Sequence, residues 1–342
     1  MNIFTPAHRL YRHARNLAFY LGITCAGIAV WWAAGFIRIV PTSGGCSYVR
    51  EITARNRCVK HQLQHMVEKN GTDAAINRFD RIADRHPQLQ NACHLAAHPY
   101  GIAEGQRMAR THVSFANISI EHAGFCSQGR YHGRIIGFRD TASLPQLHDS
   151  YSSDCVRKSA PEILQCGHAF GHLLLTRSRS ISQSLAMCGK LPELEIDTTQ
   201  TAQNSHVDAM WISHQSRLEC TKGAMMQLGT AVRNKRLTRP SCDQLGASFA
   251  RTSCALSFPV MMIMSGEKDE AAVFSCTTFS SARLRNVCGF GVGASNPDSD
   301  EPCTVFSGNL HDICKTGQRS IKKSNRRELT EGLGDYRDVE NV

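Results

Sequence analysis

Two pairs of histidines are spaced for metal binding. His94 and His98 are four residues apart in the sequence, and so are His168 and His172. Residues four apart lie on one face of an α-helix, so each pair can present two imidazoles to the same ion. Imidazole nitrogen is a good ligand for copper, zinc and iron. The sequence therefore predicts two helices that each contribute a chelating pair to a transition-metal site.

Further histidines extend this prediction. His122 and His132 lie on either side of Cys126, and Glu121 directly precedes His122. Because a metal ion lowers the pKa of its bound water towards neutrality, Glu121 is the predicted proton acceptor if the site is catalytic. The sequence leaves open whether it is an enzyme. The predicted metal ligands are His94, His98, His122, His132, His168 and His172.

Several other metal and cofactor sites are excluded by their missing motifs. Neither histidine pair has the glutamate that follows the first histidine in the zinc-protease helix, and no Cys-x-x-Cys-His sequence is present to attach haem. The glycine-rich residues 289–293 lack the strand, spacing and acidic follower of a dinucleotide-binding turn, so no nucleotide cofactor is expected. A third pair, His61 and His65, is flanked by polar residues and is predicted to lie on the surface.

The cysteines indicate the helices that position these histidines. From Cys220 to Cys288, five cysteines follow at intervals of 22, 12, 22 and 12 residues, which is a period of 34. A period of this length is typical of stacked helix pairs. Small residues after several cysteines predict that neighbouring helices approach closely. A cysteine followed by small and apolar residues recurs six times, at Cys93, Cys126, Cys166, Cys220, Cys254 and Cys288.

Fifteen cysteines without a Cys-x-x-Cys pair favour disulfides in an oxidising compartment. We interpret the first cysteine of a pair as ending one helix and the second as lying in the first turns of the next. Cys93 is assigned to Cys126 by elimination, and spacing alone allows other connectivities. The predicted pairs are Cys46–Cys58, Cys93–Cys126, Cys155–Cys166, Cys188–Cys220, Cys242–Cys254, Cys276–Cys288 and Cys303–Cys314.

The N-terminal region predicts a membrane anchor. Residues 1–16 contain three arginines and no acidic residue, and residues 17–37 form an apolar run long enough to span a bilayer. The arginine-rich end is expected to stay in the cytoplasm, as in an uncleaved signal anchor. The protein is therefore predicted to cross the membrane once. Its main domain would lie in the periplasm, outside the cell or in the secretory lumen.

Composition divides the exported part into three segments. Residues 38–45 are predicted to be a linker, residues 46–314 the cysteine-rich helical domain, and residues 315–342 a disordered polar tail. The formal net charge of +10 suggests an anionic envelope component or another protein as a partner. No RNA-type aromatic motif or helix-turn-helix signature is present, so nucleic acid is not an expected partner.

The period of 34 and the sequence from Cys242 to Gly246, with Cys254, resemble cysteine-rich Sel1-like and tetratricopeptide-type helical repeat proteins over about residues 140–316. The resemblance implies a concave surface that binds a protein or peptide. The predicted fold is all-α, a disulfide-stapled array of antiparallel helix pairs, either an α-solenoid or a compact helical repeat. Two functions follow: a membrane-anchored protein with a histidine-rich metal site, or a non-catalytic scaffold.

Overall fold

The computed structural model describes residues 45–49, 52–120, 124–155, 158–191, 209–264, 275–295 and 301–326. All regular secondary structure in these ranges is helical, as the sequence predicts. Short 3₁₀ turns occur at Gly45–Tyr48, Pro87–Leu89, Phe115–Asn117 and Cys242–Gln244. The α-helices are α1 (Ile52–Asn70), α2 (Thr72–Arg85), α3 (Gln90–Arg110), α4 (Phe125–Phe138), α5 (Leu144–Cys155), α6 (Ala160–Ser178), α7 (Ile181–Gly189), α8 (Ala209–Arg233), α9 (Ser248–Met264), α10 (Ala282–Ser295), α11 (Glu301–Thr304) and α12 (Asn309–Arg326).

Within the described ranges seven disulfides link the helices, and they are the seven predicted pairs. Their Cα–Cα distances lie between 5.0 and 5.8 Å, within the range that a disulfide spans. In most of them a short preceding segment is bonded to a longer helix. Cys155 at the end of α5 is joined to Cys166 in α6, for example, as the interpretation of the spacing requires.

Long helices of neighbouring units pack in parallel with each other. The antiparallel arrangement of consecutive helices within a unit stays a prediction. Along α4, Gly129 contacts α3 at His94, and Gly137 contacts it at Ile102, so both helices advance in the same direction. In the same way, Gly167 of α6 faces Ser216 of α8, and one turn later Gly171 faces Cys220. The chain must therefore return between two such helices, and the short segments are part of that return.

Glycine allows this close packing, as the sequence analysis expects. A Cβ atom at Gly129, Gly133 or Gly137 would collide with backbone carbonyl groups of α3. Gly101 and Gly105 of α3 are equally close to the backbone of α4. The two helices therefore touch backbone to backbone. Larger residues at these points would force the helices apart and would displace every side chain between them.

A methyl group at Gly133 is expected to destabilise the domain. In Gly133→Ala the new Cβ would lie 2.9 Å from the Cα of Gly101 and even closer to the His98 carbonyl oxygen. We expect a loss of about 3 kcal/mol in the free energy of unfolding, despite the better helix propensity of alanine. Gly246→Ala is the matched control, because nothing lies within 4 Å of its Cβ position. Equal denaturant midpoints for the two variants would contradict the close approach.

Among the described residues the core consists of three clusters of buried side chains that follow one another along the chain. The first contains Leu63 and Phe79, the second Tyr151 and Phe170, and the third Met225 with other residues up to Cys314. Helix α3 contributes to the first cluster, whereas α4 and α6 contribute to the second. The space between these three helices is where the paired histidines meet.

The C-terminal helix is longer than predicted. Helix α12 continues to Arg326, so residues 315–326 of the predicted disordered tail are helical. This part of the helix has few large apolar residues, but Gly317 packs against the backbone of Phe290 in α10 and Gln318 is buried. A helix that packs through a glycine lacks the pattern of large apolar residues from which a buried helix is predicted. Residues 327–342 lie outside the described ranges.

No helix within the described ranges is long and apolar enough to cross a membrane. The predicted anchor at residues 17–37, the preceding residues 1–16 and nearly all of the predicted linker lie outside these ranges. The anchor therefore stays a prediction from the sequence.

Candidate metal centre

Five histidines form one buried cluster, which we call the histidine cluster. Its members are His94 and His98 on α3, His132 on α4, and His168 and His172 on α6. Ring centroids of neighbouring members lie between 4.5 and 6.0 Å apart. Parallel packing brings them together, because His94 faces His168 and, one turn later, His98 faces His172. The other two predicted site residues, Glu121 and His122, lie outside the described ranges.

Three of these rings are spaced as ligands of a single ion. The Nε2 atom of His94 lies 3.1 Å from Nε2 of His98 and 3.1 Å from Nδ1 of His132. At a metal–nitrogen distance of about 2.0–2.1 Å, two nitrogens of a tetrahedral site are about 3.3 Å apart. We call His94, His98 and His132 the histidine trio. Its nitrogens are close enough to bind one transition-metal ion.

The hydrogen bond of His168 determines which of its nitrogens carries the proton. Its Nδ1 lies 3.0 Å from Oε2 of Glu219 on α8. An ionised carboxylate only accepts hydrogen bonds, so Nδ1 donates and, in the neutral ring, Nε2 bears a lone pair. That Nε2 atom is buried and has no hydrogen-bond partner among the described residues. Metal-binding histidines characteristically have this arrangement, with an acceptor behind the ring and a bare nitrogen in front.

Two glutamines support other rings of the cluster. Gln165 Oε1 contacts Nε2 of His132, and Gln227 Oε1 lies 3.3 Å from Nδ1 of His172. With the amide oxygens facing the rings, each of these nitrogens donates and the opposite nitrogen is a lone-pair donor for a metal. His172 Nε2, like that of His168, is buried without a partner among the described residues. Neither glutamine nor Glu219 was predictable from the sequence, because they are distant from the histidines along the chain and follow no ligand spacing.

Burial keeps the imidazoles neutral. It is the largest cause that lowers the pKa of all five rings below the ordinary value of 6.5. Mutual repulsion between protonated rings adds to this effect for the trio, and the pKa of His172 falls to about 3. A metal binds the neutral form of histidine, so at neutral pH few protons compete for these nitrogens.

In the described part of the chain, Glu219 is the carboxylate that hydrogen-bonds to the cluster. Burial opposes its ionisation, but the Lys222 ammonium 3.3 Å away and the hydrogen bond from His168 prevail and hold the pKa of Glu219 at about 2. Glu219 is therefore ionised at neutral pH. Its position behind His168 suits orientation of the ring rather than proton transfer to a substrate.

Helix α4, which carries His132, is fixed by carboxylates from two other helices. The Asp80 carboxylate of α2 accepts hydrogen bonds from the backbone N–H groups of Cys126 (2.7 Å) and Ser127 (3.3 Å) at the first turn of α4. Glu104 of α3 pairs with both Arg130 and Arg134 at 2.7 Å. These contacts hold the position of His132 relative to α3.

Asp80 also lies close to the sulfur atoms of Cys93 and Cys126, a grouping that resembles a metal site. These two cysteines are joined in a disulfide. The metal ligand is the thiolate form of cysteine, which a disulfide-bonded cysteine cannot adopt. Within the described ranges, the histidine trio is thus the group whose donor atoms are both close together and free to coordinate.

Comparison of the chain with protein-family models, curated proteins and solved structures finds no match.

Proposed function

We propose that this chain is a membrane-anchored, exported helical protein that binds a transition-metal ion through the histidine trio. The supporting observation is the orientation of the rings. Acceptors bind the outer nitrogens of His132, His168 and His172, whereas the inner nitrogens of the trio face one another in a buried space. The trio has neutral nitrogen donors and no thiolate, which suits copper, zinc or iron and excludes calcium and magnesium.

A network of hydrogen bonds among the rings explains this arrangement less well. Each neutral imidazole has one N–H group, and for His168 that proton is committed to Glu219. The inner nitrogens of His168 and His172 then have no hydrogen to receive among the described residues. An unsatisfied buried polar atom costs about 1–3 kcal/mol, so a cluster of such atoms needs a compensating partner. In the trio, His132 likewise directs its proton at Gln165, so its Nδ1 presents a lone pair to Nε2 of His94. A metal ion supplies a partner for such lone pairs.

The proposed location follows from the anchor and the disulfides. Residues 17–37 would hold the chain in the membrane, with residues 1–16 in the cytoplasm and the helical domain on the opposite side. Disulfides form and persist in exported compartments. Free thiols among the fourteen paired cysteines, in protein alkylated directly in cells, would contradict export. Recovery of the full chain without membranes would contradict the anchor.

Metal analysis of the full chain tests the proposed function. The protein is produced with copper, zinc and iron in the medium, without a histidine tag, and is purified in detergent without chelator. We expect the triple variant His94→Gln, His98→Gln, His132→Gln to lose at least one equivalent of the metal that the natural chain retains. The reason is that all three donor nitrogens of the trio are removed while the acceptors around them remain.

The matched control is His61→Gln with His65→Gln, an exposed histidine pair with the same spacing on α1. It should retain the metal of the natural chain. Less than about 0.1 equivalent of any transition metal in the natural chain, before and after reloading, would overturn the metal site. The scaffold function would then be the better explanation, with the histidines serving only the packing of α3, α4 and α6.

A further inference from the structure

His168 and His172 form a second chelating pair beside the histidine trio. They lie four residues apart on α6, so both project from one face of the helix. Glu219 and Gln227 accept hydrogen bonds from the Nδ1 atoms of the two rings. Both Nε2 atoms are buried without a hydrogen-bond partner in the described part of the chain. His168 is 3% exposed and His172 is 5% exposed. This pair has the features of a metal-binding unit in its own right.

The five rings are too widely spread to coordinate one ion together. Two ligands on opposite sides of a single ion are at most about 4.2 Å apart at metal–nitrogen distances of 2.0–2.1 Å. The donor atoms of the trio all lie within 4.8 Å of one another, and neither His168 nor His172 joins that group even at this generous limit. The pair nevertheless adjoins the trio, since the rings of His132 and His168 stack at 4.5 Å.

We infer that the histidine cluster binds two metal ions, one at the trio and a second at the His168–His172 pair. This inference rests on the proposed function and adds a second position to it. Because the two groups of ligands are in contact, the ions would be neighbours, as in the two-metal sites whose ions are about 3.5–4 Å apart.

Charge and ligand number favour copper in its univalent state. The donors are neutral, and the negative charge of Glu219 is offset by Lys222, which lies 3.3 Å away. Two adjacent divalent cations would repel each other strongly at such a site. Copper(I) carries half that charge, is a good acceptor for imidazole, and is stable with two or three ligands. The trio supplies three ligands and the pair supplies two.

Copper(I) titration of the chelator-treated full chain tests the inference. Free copper(I) is buffered anaerobically with a chromophoric copper(I) chelator. We expect two equivalents for the natural chain, one for His168→Gln with His172→Gln, and two for the exposed-pair control His61→Gln with His65→Gln. The single variant His172→Gln provides a milder change, and circular dichroism verifies that each variant is folded. X-ray absorption of the loaded natural chain should show metal–metal scattering at about 3.5–4 Å.

The outcomes separate this inference from the proposed function. One equivalent in both the natural chain and the double variant would overturn the second position and leave the trio. No copper in the double variant would show a single site that needs both groups, which also overturns it. Two equivalents of zinc but none of copper would overturn the choice of metal. No metal of any kind in the natural chain would overturn the proposed function itself.

Discussion

Reduction of the seven disulfides should unfold the domain at neutral pH and room temperature. Five of them join cysteines 11 or 12 residues apart, and the other two join cysteines 32 and 33 apart. By loop-closure arguments each contributes about 3 kcal/mol, so together they contribute roughly 20 kcal/mol. The net stability of a domain is only about 5–15 kcal/mol. Without the disulfides, the unfolded chain should therefore be the more stable state.

Far-UV circular dichroism with and without a thiol reductant measures this effect. Helical signal should fall on reduction and should return after reoxidation, whereas an alkylating agent alone should change nothing, because the cysteines of the domain are paired. A domain that keeps its helical signal and its denaturant midpoint after complete reduction would show that helix packing alone is sufficient.

The metal-free protein is expected to lose stability steeply as the pH falls below about 6.5. Burial lowers the pKa of the cluster imidazoles in the folded state, so the unfolded chain binds protons more readily. The contribution of the neutral rings to stability is complete above their pKa in the unfolded chain, about 6.5. It is lost as the pH falls towards their lower pKa values in the folded protein. Four rings are less than a tenth exposed: His94, His132, His168 and His172. At about 1.4 kcal/mol per pH unit for each, the maximum slope is about 5 kcal/mol per pH unit.

Urea unfolding of chelator-treated protein between pH 7.5 and 5 gives this slope. The double variant His168→Gln, His172→Gln removes two of the four buried rings and should have about half the slope of the natural chain. Bound metal should delay the loss to lower pH, because protons must then displace the ion. A free energy of unfolding that stays level from pH 7 to pH 5 would contradict neutral burial of the rings.

Cysteine spacing was a reliable guide to this structure because disulfides between neighbouring segments are local. A separation of 11 or 12 residues leaves room for a turn and the start of a helix, and Cys155–Cys166 shows this geometry. The i, i+4 spacing of the histidine pairs likewise follows directly from helical geometry. Five of the six predicted ligands lie in the described ranges, and all five are in one cluster.

The contacts between long helices and the support of the cluster were not predictable in this way. Parallel packing depends on backbone contacts through glycines such as Gly133 and Gly171, which carry no directional signal in the sequence. Glu219 and Gln227 are 51 and 55 residues from the histidines that they support, and only the register of α8 against α6 brings them there. The predicted helical domain ends too early, at residue 314, because Gly317 and Gln318 of helix α12 bury backbone and amide surface and not large apolar side chains.

Each of the fourteen paired cysteines is bonded to its immediate neighbour among them along the chain. A chain that crosses a membrane from its N-terminal side exposes these cysteines in the same order to the oxidising machinery. If each thiol is oxidised with the next one to emerge, the native connectivity forms without any shuffling of bonds. In five of the pairs the second cysteine follows the first by 11 or 12 residues, and the largest separation is 33 residues. If the domain is exported as proposed, translocation itself would then guide its oxidation, with little need for a disulfide isomerase.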